Sequence, residues 1–239
     1  MAATGAGRTQ KVHPCSRRRS APRPALPGEP RRRWTTGVTA PFAGLPNRVA
    51  RLPGVGRFVA LLRGINVGGR NLIRMPELAA CFTAAGFGDV RTYIQSGNVL
   101  FTADRATDSA TRPELEGEIE GILTATFALP LKVVVRSHAD LAATVVSAPD
   151  GFGWPDHRCD VIFLKHPATA DQALAALPAL AEGVDRVWPG PGALYFARLT
   201  AQATRSRLNR VISAPIYQEM TIRNWNTTSR LLALLDEPS

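Results

Sequence analysis

The sequence predicts an α+β fold: two tandem βαββαβ units with antiparallel sheets, preceded by a disordered basic tail. Three observations carry this expectation. Short apolar runs of strand length alternate with segments of helical period. The order strand, helix, strand, strand, helix, strand then occurs twice between Arg57 and the C-terminus. Finally, the basic excess of the chain is confined to its first quarter.

The charge distribution decides what kind of partner to look for. The 239 residues carry a formal charge of +10. Residues 1–57 hold 12 of the 29 Lys and Arg and one of the 19 acids, so that segment is +11 and the remainder −1. A near-neutral body offers no global field for a polyanion. Residues 1–56 are rich in Arg, Pro, Gly, Ala and Ser and cannot bury enough surface to offset their ordering entropy. They read as a basic arm for nucleic acid or an acidic membrane surface, as an Arg-rich transit peptide, or as translated GC-rich upstream DNA. We expect the last, with a true start at or near Val55, just before the first strand. Arg17-Arg18-Arg19 leads into Ser-Ala-Pro-Arg-Pro and not into an apolar segment, which fits neither a Sec nor a twin-arginine signal. No apolar run reaches the roughly 20 residues of a membrane helix. Cys15, Cys81 and Cys159 are odd in number and show no CxxC spacing, which suits a cytoplasmic protein with reduced thiols.

In the first unit, expected over 57–137, Arg57–Leu62 is a short apolar run ending in glycine, a buried strand. Pro76 suits a first helical turn, Leu78, Phe82 and Ala85 mark a helix, and Gly86 closes it. Val90–Gln95 and Val99–Phe101 are strands joined by a hairpin at Ser96-Gly97-Asn98. Thr111 and Glu114 have capping-box spacing before a helix that buries Leu115, Ile119, Ile122 and Leu123. Leu131–Val135 is the fourth strand. A connecting helix over about 139–146 and a Gly/Pro loop fill 138–158. The second unit, 159–239, repeats the order. Asp160–Leu164 is a strand, Thr169 and Gln172 cap a helix, and Val184–Trp188 and Ala193–Phe196 form a hairpin. Arg205–Ser213 is a helix with Leu208, Val211 and Ile212 inward, Gln218–Ile222 a strand, and Thr227 opens a terminal helix packed through Leu231, Leu232 and Leu235. Two such units make the arrangement ferredoxin-like, twice.

The stretch Arg63-Gly-Ile-Asn-Val-Gly-Gly-Arg-Asn71 between the first strand and helix carries the most chemistry. Gly64, Gly68 and Gly69 allow tight turns that expose successive N–H groups, while Arg63, Arg70, Asn66 and Asn71 add donors suited to phosphate or carboxylate. Arg70 and Asn71 stand where a P-loop has Lys and Ser/Thr, and the dinucleotide fingerprint is absent, so no cofactor is implied. The alternative is a loop whose glycines serve the fold alone. Gln95 and Asn98 at the hairpin, and Arg223 and Asn224 in Thr221-Ile-Arg-Asn-Trp-Asn-Thr227, complete the candidate site. Trp225 reads as an anchor, with Asn226 or Thr227 as helix N-cap. Ser96 lacks a nucleophile elbow, and no His, Asp or Glu lies in these three stretches to act as a general base. Asp156-His157-Arg-Cys159-Asp160 matches no familiar zinc spacing, so no metal is expected.

The leading reading is therefore a small anionic ligand, phosphate- or carboxylate-bearing, held by the glycine-rich loop, with catalysis left open. The alternatives are a nucleic-acid-associated protein using the tail and the Arg205, Arg207 and Arg210 helix, and a structural or partner-binding module. The RNP1 signature of RNA-recognition motifs is missing. Nothing in the sequence sets an oligomeric state.

The segments Val59–Gly69, Met75-Pro76, Thr92–Val99 and Thr221–Thr227 together resemble the bacterial family called domain of unknown function 1697. The resemblance spans about 57–236 and excludes the tail. It implies two tandem ferredoxin-like units in a bacterial cytosolic protein and implies no activity. Members of that family start just before the first strand, in keeping with a start near Val55.

Overall fold

The structure, a computed structural model, describes residues 54–237. The tail expected over 1–56 lies outside the described residues as far as residue 53. The body begins with β1 (Gly56–Leu62), α1 (Met75–Ala84), β2 (Gly88–Tyr93), β3 (Asn98–Ala103), α2 (Thr111–Phe127) and β4 (Val133–Ser137). Helix α3 (His138–Val146) leads to β5 (His157–Leu164), α4 (Ala170–Ala175), β6 (Asp185–Gly190), β7 (Ala193–Leu199), α5 (Leu208–Ser213), β8 (Met220–Asn224) and α6 (Trp225–Asp236). The strands form two four-stranded antiparallel sheets, ordered β2-β3-β1-β4 and β6-β7-β5-β8.

The central strands β1 and β5 are buried on both faces, which explains why they read as continuous apolar runs. One face of the first sheet packs Phe58, Val99 and Phe101 against Leu78 and Phe82 of α1 and Leu115 and Ile119 of α2. The corresponding face of the second sheet packs Ile162, Leu194 and Phe196 with Ala173 of α4 and Leu208 and Val211 of α5. The remaining faces share one core. Val59, Leu61 and Val134 join Val161, Phe163 and Tyr195 there, together with Leu141 of α3 and Leu231 and Leu235 of α6.

Two buried arginines cross between the sheets in matching fashion. Arg223 of β8 donates from Nη2 to the carbonyls of Leu62 (2.8 Å) and Gly97 (3.2 Å). Arg136 of β4 donates from Nη2 to the carbonyls of Leu164 (2.5 Å) and Gly192 (2.8 Å). Each thus binds the end of the other sheet's central strand and its hairpin turn. Burial pushes the pKa of each arginine down to about 10, so both remain charged near neutrality. Arg136 has the Glu116 carboxylate at 4.0 Å. Among the described residues Arg223 has only neutral acceptors.

Some local expectations are corrected. The Thr111/Glu114 capping box does not form at α2; the Asp108 carboxylate accepts from Thr111 N (2.9 Å) and Thr111 Oγ1 (2.9 Å) instead. The helix expected over Arg205–Ser213 is split, with a 3-10 turn at Thr200–Arg205 before the short α5. Ile212, expected inward, is 41% exposed, because α5 turns Leu208 and Val211, three residues apart, onto the sheet and leaves the next position beside that face. Helix α6 starts two residues early: Asn224 Oδ1 accepts from Thr227 N at 2.7 Å, making Asn224 the N-cap in place of Asn226 or Thr227. The capping box of Thr169 and Gln172 does form.

Candidate functional site

The loop between β1 and α1 is built from left-handed residues. Gly64, Asn66, Gly68, Gly69 and Asn71 have φ of +70°, +53°, +57°, +74° and +51°, whereas Ile65, Val67 and Arg70 do not share that sign. Alternating φ signs turn neighbouring N–H groups toward one side of the chain, the geometry of anion-binding nests. Asparagine is the L-residue that enters this region most readily, which is why Asn66 and Asn71 serve where glycine is absent. Among the described residues no atom would crowd a Cβ at Gly64, Gly68 or Gly69, so these positions answer to conformation and not to packing.

Side chains pin the loop in this shape. Asn66 donates from Nδ2 to the carbonyls of Ile73 (3.0 Å) and Gln95 (3.0 Å) and accepts from Ile73 N at 2.9 Å. Asn71 donates to the Gly64 carbonyl at 2.9 Å. Asn98 donates to the Tyr93 carbonyl at 2.9 Å and accepts from Arg223 Nε at 2.5 Å. Arg223 also donates to the Ser96 carbonyl at 3.0 Å. The loop, the β2–β3 turn and Arg223 therefore meet in one place, although they come from three distant stretches of chain.

Of the predicted site residues, Arg63, Gly64, Asn66, Gly68, Gly69, Arg70, Asn71, Gln95, Asn98 and Arg223 gather here. Their roles separate by exposure. Asn98 and Arg223 are buried behind the loop, with their polar atoms spent on protein partners. Gly68, Gly69, Arg70, Asn71 and Gln95 face outward. The Arg63 guanidinium lies 4.6 Å from the centroid of the Tyr217 ring. Among the described residues neither Arg63 nor Arg70 forms an ion pair. Ile94 in the neighbouring turn has φ +49°, a strained conformation for a β-branched side chain, and it is exposed. Asn224 does not join this group: its side chain caps α6 and lines a separate cavity.

That cavity, of about 480 Å³, opens at the start of β5 and the end of β8, lined by Trp154, His157, Cys159, Asp160, Arg198 and Trp225. Gly153 has φ +104°, and a Cβ there would meet Trp225 Cδ1 at 2.7 Å, so only glycine lets the 151–155 loop lie against that ring. The Cys159 thiol accepts from Gly153 N at 3.3 Å, and burial pushes its pKa up, which disfavours a nucleophilic thiolate. His157 is held by Asp156 at 2.8 Å. Among the described residues no three His, Cys, Asp or Glu side chains cluster as a metal set, and no helix is long and apolar enough to cross a membrane.

Sequence reasoning missed this cavity and the crossing arginine Arg136. Asp160 had a signal, an acid inside an apolar central strand. Arg136 had none, because a polar residue at a strand end is ordinary. The basic run is not presented as one stripe, since Arg205 donates to Gln202 Oε1 at 2.7 Å and Arg207 to the Ala179 carbonyl at 3.2 Å.

Fold and site together define an α+β protein of two antiparallel sheets with a clamped, left-handed loop at the end of its first strand. The chain belongs to the family described as Protein of unknown function (DUF1697), whose model matches residues 55–195. A solved structure with the same architecture is the conserved bacterial protein SP0830 from Streptococcus pneumoniae, at 25% identity and a TM-score of 0.67. The match covers 77% of this chain and all of that one. Comparison with curated proteins gives no match.

Proposed function

We propose that the protein binds a small anionic ligand, bearing phosphate or carboxylate, at the loop between β1 and α1. One observation carries this reading: five left-handed residues between Gly64 and Asn71 are locked by Asn66 and Asn71 while Arg63 and Arg70 flank them, without ion pairs among the described residues. The Asn66 and Arg70 N–H groups bond within the loop, to the carbonyls of Asn71 and Val67 at 3.1 Å each, so the glycine N–H groups and the arginine charge are what such an array offers an anion. The strained, exposed Ile94 beside it adds support, since strain of this kind clusters at functional sites. Arg223 and Asn98 hold the loop from behind. Asn224 takes no part, on this reading. No carboxylate or imidazole belongs to the group, so the residues favour binding over general acid–base catalysis.

The halves of the body we read as tandem ferredoxin-like units over 57–137 and 159–239, a view supported by their matching strand orders. A cytoplasmic setting is in keeping with the buried free thiols of Cys81 and Cys159.

Thermal unfolding of the full chain with inorganic phosphate, pyrophosphate and succinate tests the site. Bound ligand at 100 times its Kd adds about 2.7 kcal/mol of stability. We expect Arg63→Ala and Arg70→Ala to lose most of that gain. The basic N-terminal segment is common to all variants, so the difference reports the loop alone. Equal stabilisation of both variants and the parent chain would remove the loop from consideration.

A further inference from the structure

The cavity at the start of β5 holds a carboxylate that folding alone does not explain. Asp160 pairs across the sheet with Phe196 and Asn224. At the same register of the first sheet, Phe58 pairs with Phe101 and Ser137 and is 0% exposed in the core. The second sheet thus carries an acid, 8% exposed, where the first carries a buried aromatic ring. Among the described residues no hydrogen bond reaches the carboxylate, and its buried Oδ2 is without a partner. Arg198 Nη2 lies 3.3 Å from that oxygen but outside hydrogen-bonding alignment, so the contact is an ion pair that leaves the acceptor unfilled. Burial raises the pKa of this acid, with Arg198 and Arg158 opposing. An unfilled buried acceptor costs stability, and a ligand donor is the natural compensation.

The surroundings specify the ligand. Arg158 and Arg198 are register partners on β5 and β7 and share the Asp160 face, as alternate positions of their strands. Positive and negative groups therefore lie side by side in the cavity, as in an α-amino acid, whose ammonium and carboxylate sit on one carbon. Trp154 and Trp225 line the same space and offer apolar, π-rich surface to a side chain. The volume falls within the range of small-molecule sites.

We propose that this cavity binds a small zwitterion of the α-amino acid class, its ammonium on Asp160, its carboxylate on Arg198 and Arg158, and its side chain against Trp154 and Trp225. This site is separate from the β1–α1 loop and does not depend on it. No bond is made or broken, in keeping with the protonated thiol of Cys159.

The test is a screen of the protein amino acids at millimolar concentration against the full chain, read by tryptophan fluorescence and calorimetry. At least one should bind. Its methyl ester, lacking the carboxylate, and its N-acetyl derivative, lacking the ammonium, should each bind about tenfold more weakly or worse. Asp160→Asn and Arg198→Gln should weaken binding about tenfold, and Asp160→Phe should abolish it while leaving the protein folded. Absence of binding by every amino acid would overturn the proposal. So would equal binding by the blocked derivatives, or by Asp160→Asn or Arg198→Gln with native circular dichroism.

Discussion

At the scale of single residues, two aspartates respond to pH in opposite senses. Burial works against the Asp140 charge, but hydrogen bonds from Arg112 and Ser137 outweigh it and hold the carboxyl below its ordinary value. Its contribution is present above the usual carboxylate range and is lost as pH falls through the depressed pKa. Asp160 is the reverse case. Burial raises its pKa, so its contribution is present at low pH and disappears as pH climbs through the raised value. We predict that Asp160→Asn is more stable than the parent chain near neutrality and that the margin shrinks on acidification. Asp140→Asn should be less stable near neutrality, its deficit closing at low pH. Urea titrations across the acid range separate the two, and a pH-independent margin for Asp160→Asn would contradict the assignment.

At the scale of elements, the strands and most helices were legible because local pattern and global packing agree. Val-Ala-Leu-Leu in β1 and Val-Ile-Phe-Leu in β5 are apolar on both faces, since both faces of these central strands are covered. The errors fall where several residues could do one job. Asn224, Asn226 and Thr227 are all competent caps, and only the pairing of Asn224 with Asp160 at the end of β8 decides which serves. Asn224→Ala should cost about 1 kcal/mol in denaturant unfolding, whereas Asn226→Ala, at an exposed position, should change stability by less than about 0.5 kcal/mol. Equal losses would return the cap to a shared role. The candidate loop was legible from its glycines and asparagines. Its clamps were not, because Asn66 reaches Gln95 and Arg223 reaches Gly97 across separations that no local spacing encodes.

At the scale of the whole body, the two sheets are not independent modules. They share a core of Val59, Leu61, Val134, Val161, Phe163 and Tyr195, and each sends an arginine to the carbonyls of the other. Tyr195 tightens the same junction by donating to the Thr144 carbonyl at 2.6 Å, and burial pushes its phenol up to about 12. We predict a single cooperative unfolding transition for the body. Arg223→Met should lower its stability by about 2–4 kcal/mol, because the Leu62 carbonyl and Asn98 Oδ1 lose their donor. Far-UV dichroism and tryptophan fluorescence should trace coincident curves in the parent chain. Distinct midpoints there would mean that the halves melt separately.

Arg223 has one more consequence, electrical and not mechanical. It keeps its proton at neutral pH, lies beneath Ser96 and Gly97, and faces no carboxylate among the described residues. The guanidinium is 7% exposed, so inside the protein its field is less screened by salt than that of a surface charge. The ground under the β1–α1 loop is therefore permanently positive. If the loop holds an anion as proposed, its attraction to exposed Arg70 should fade more steeply with ionic strength than its attraction to Arg223 beneath.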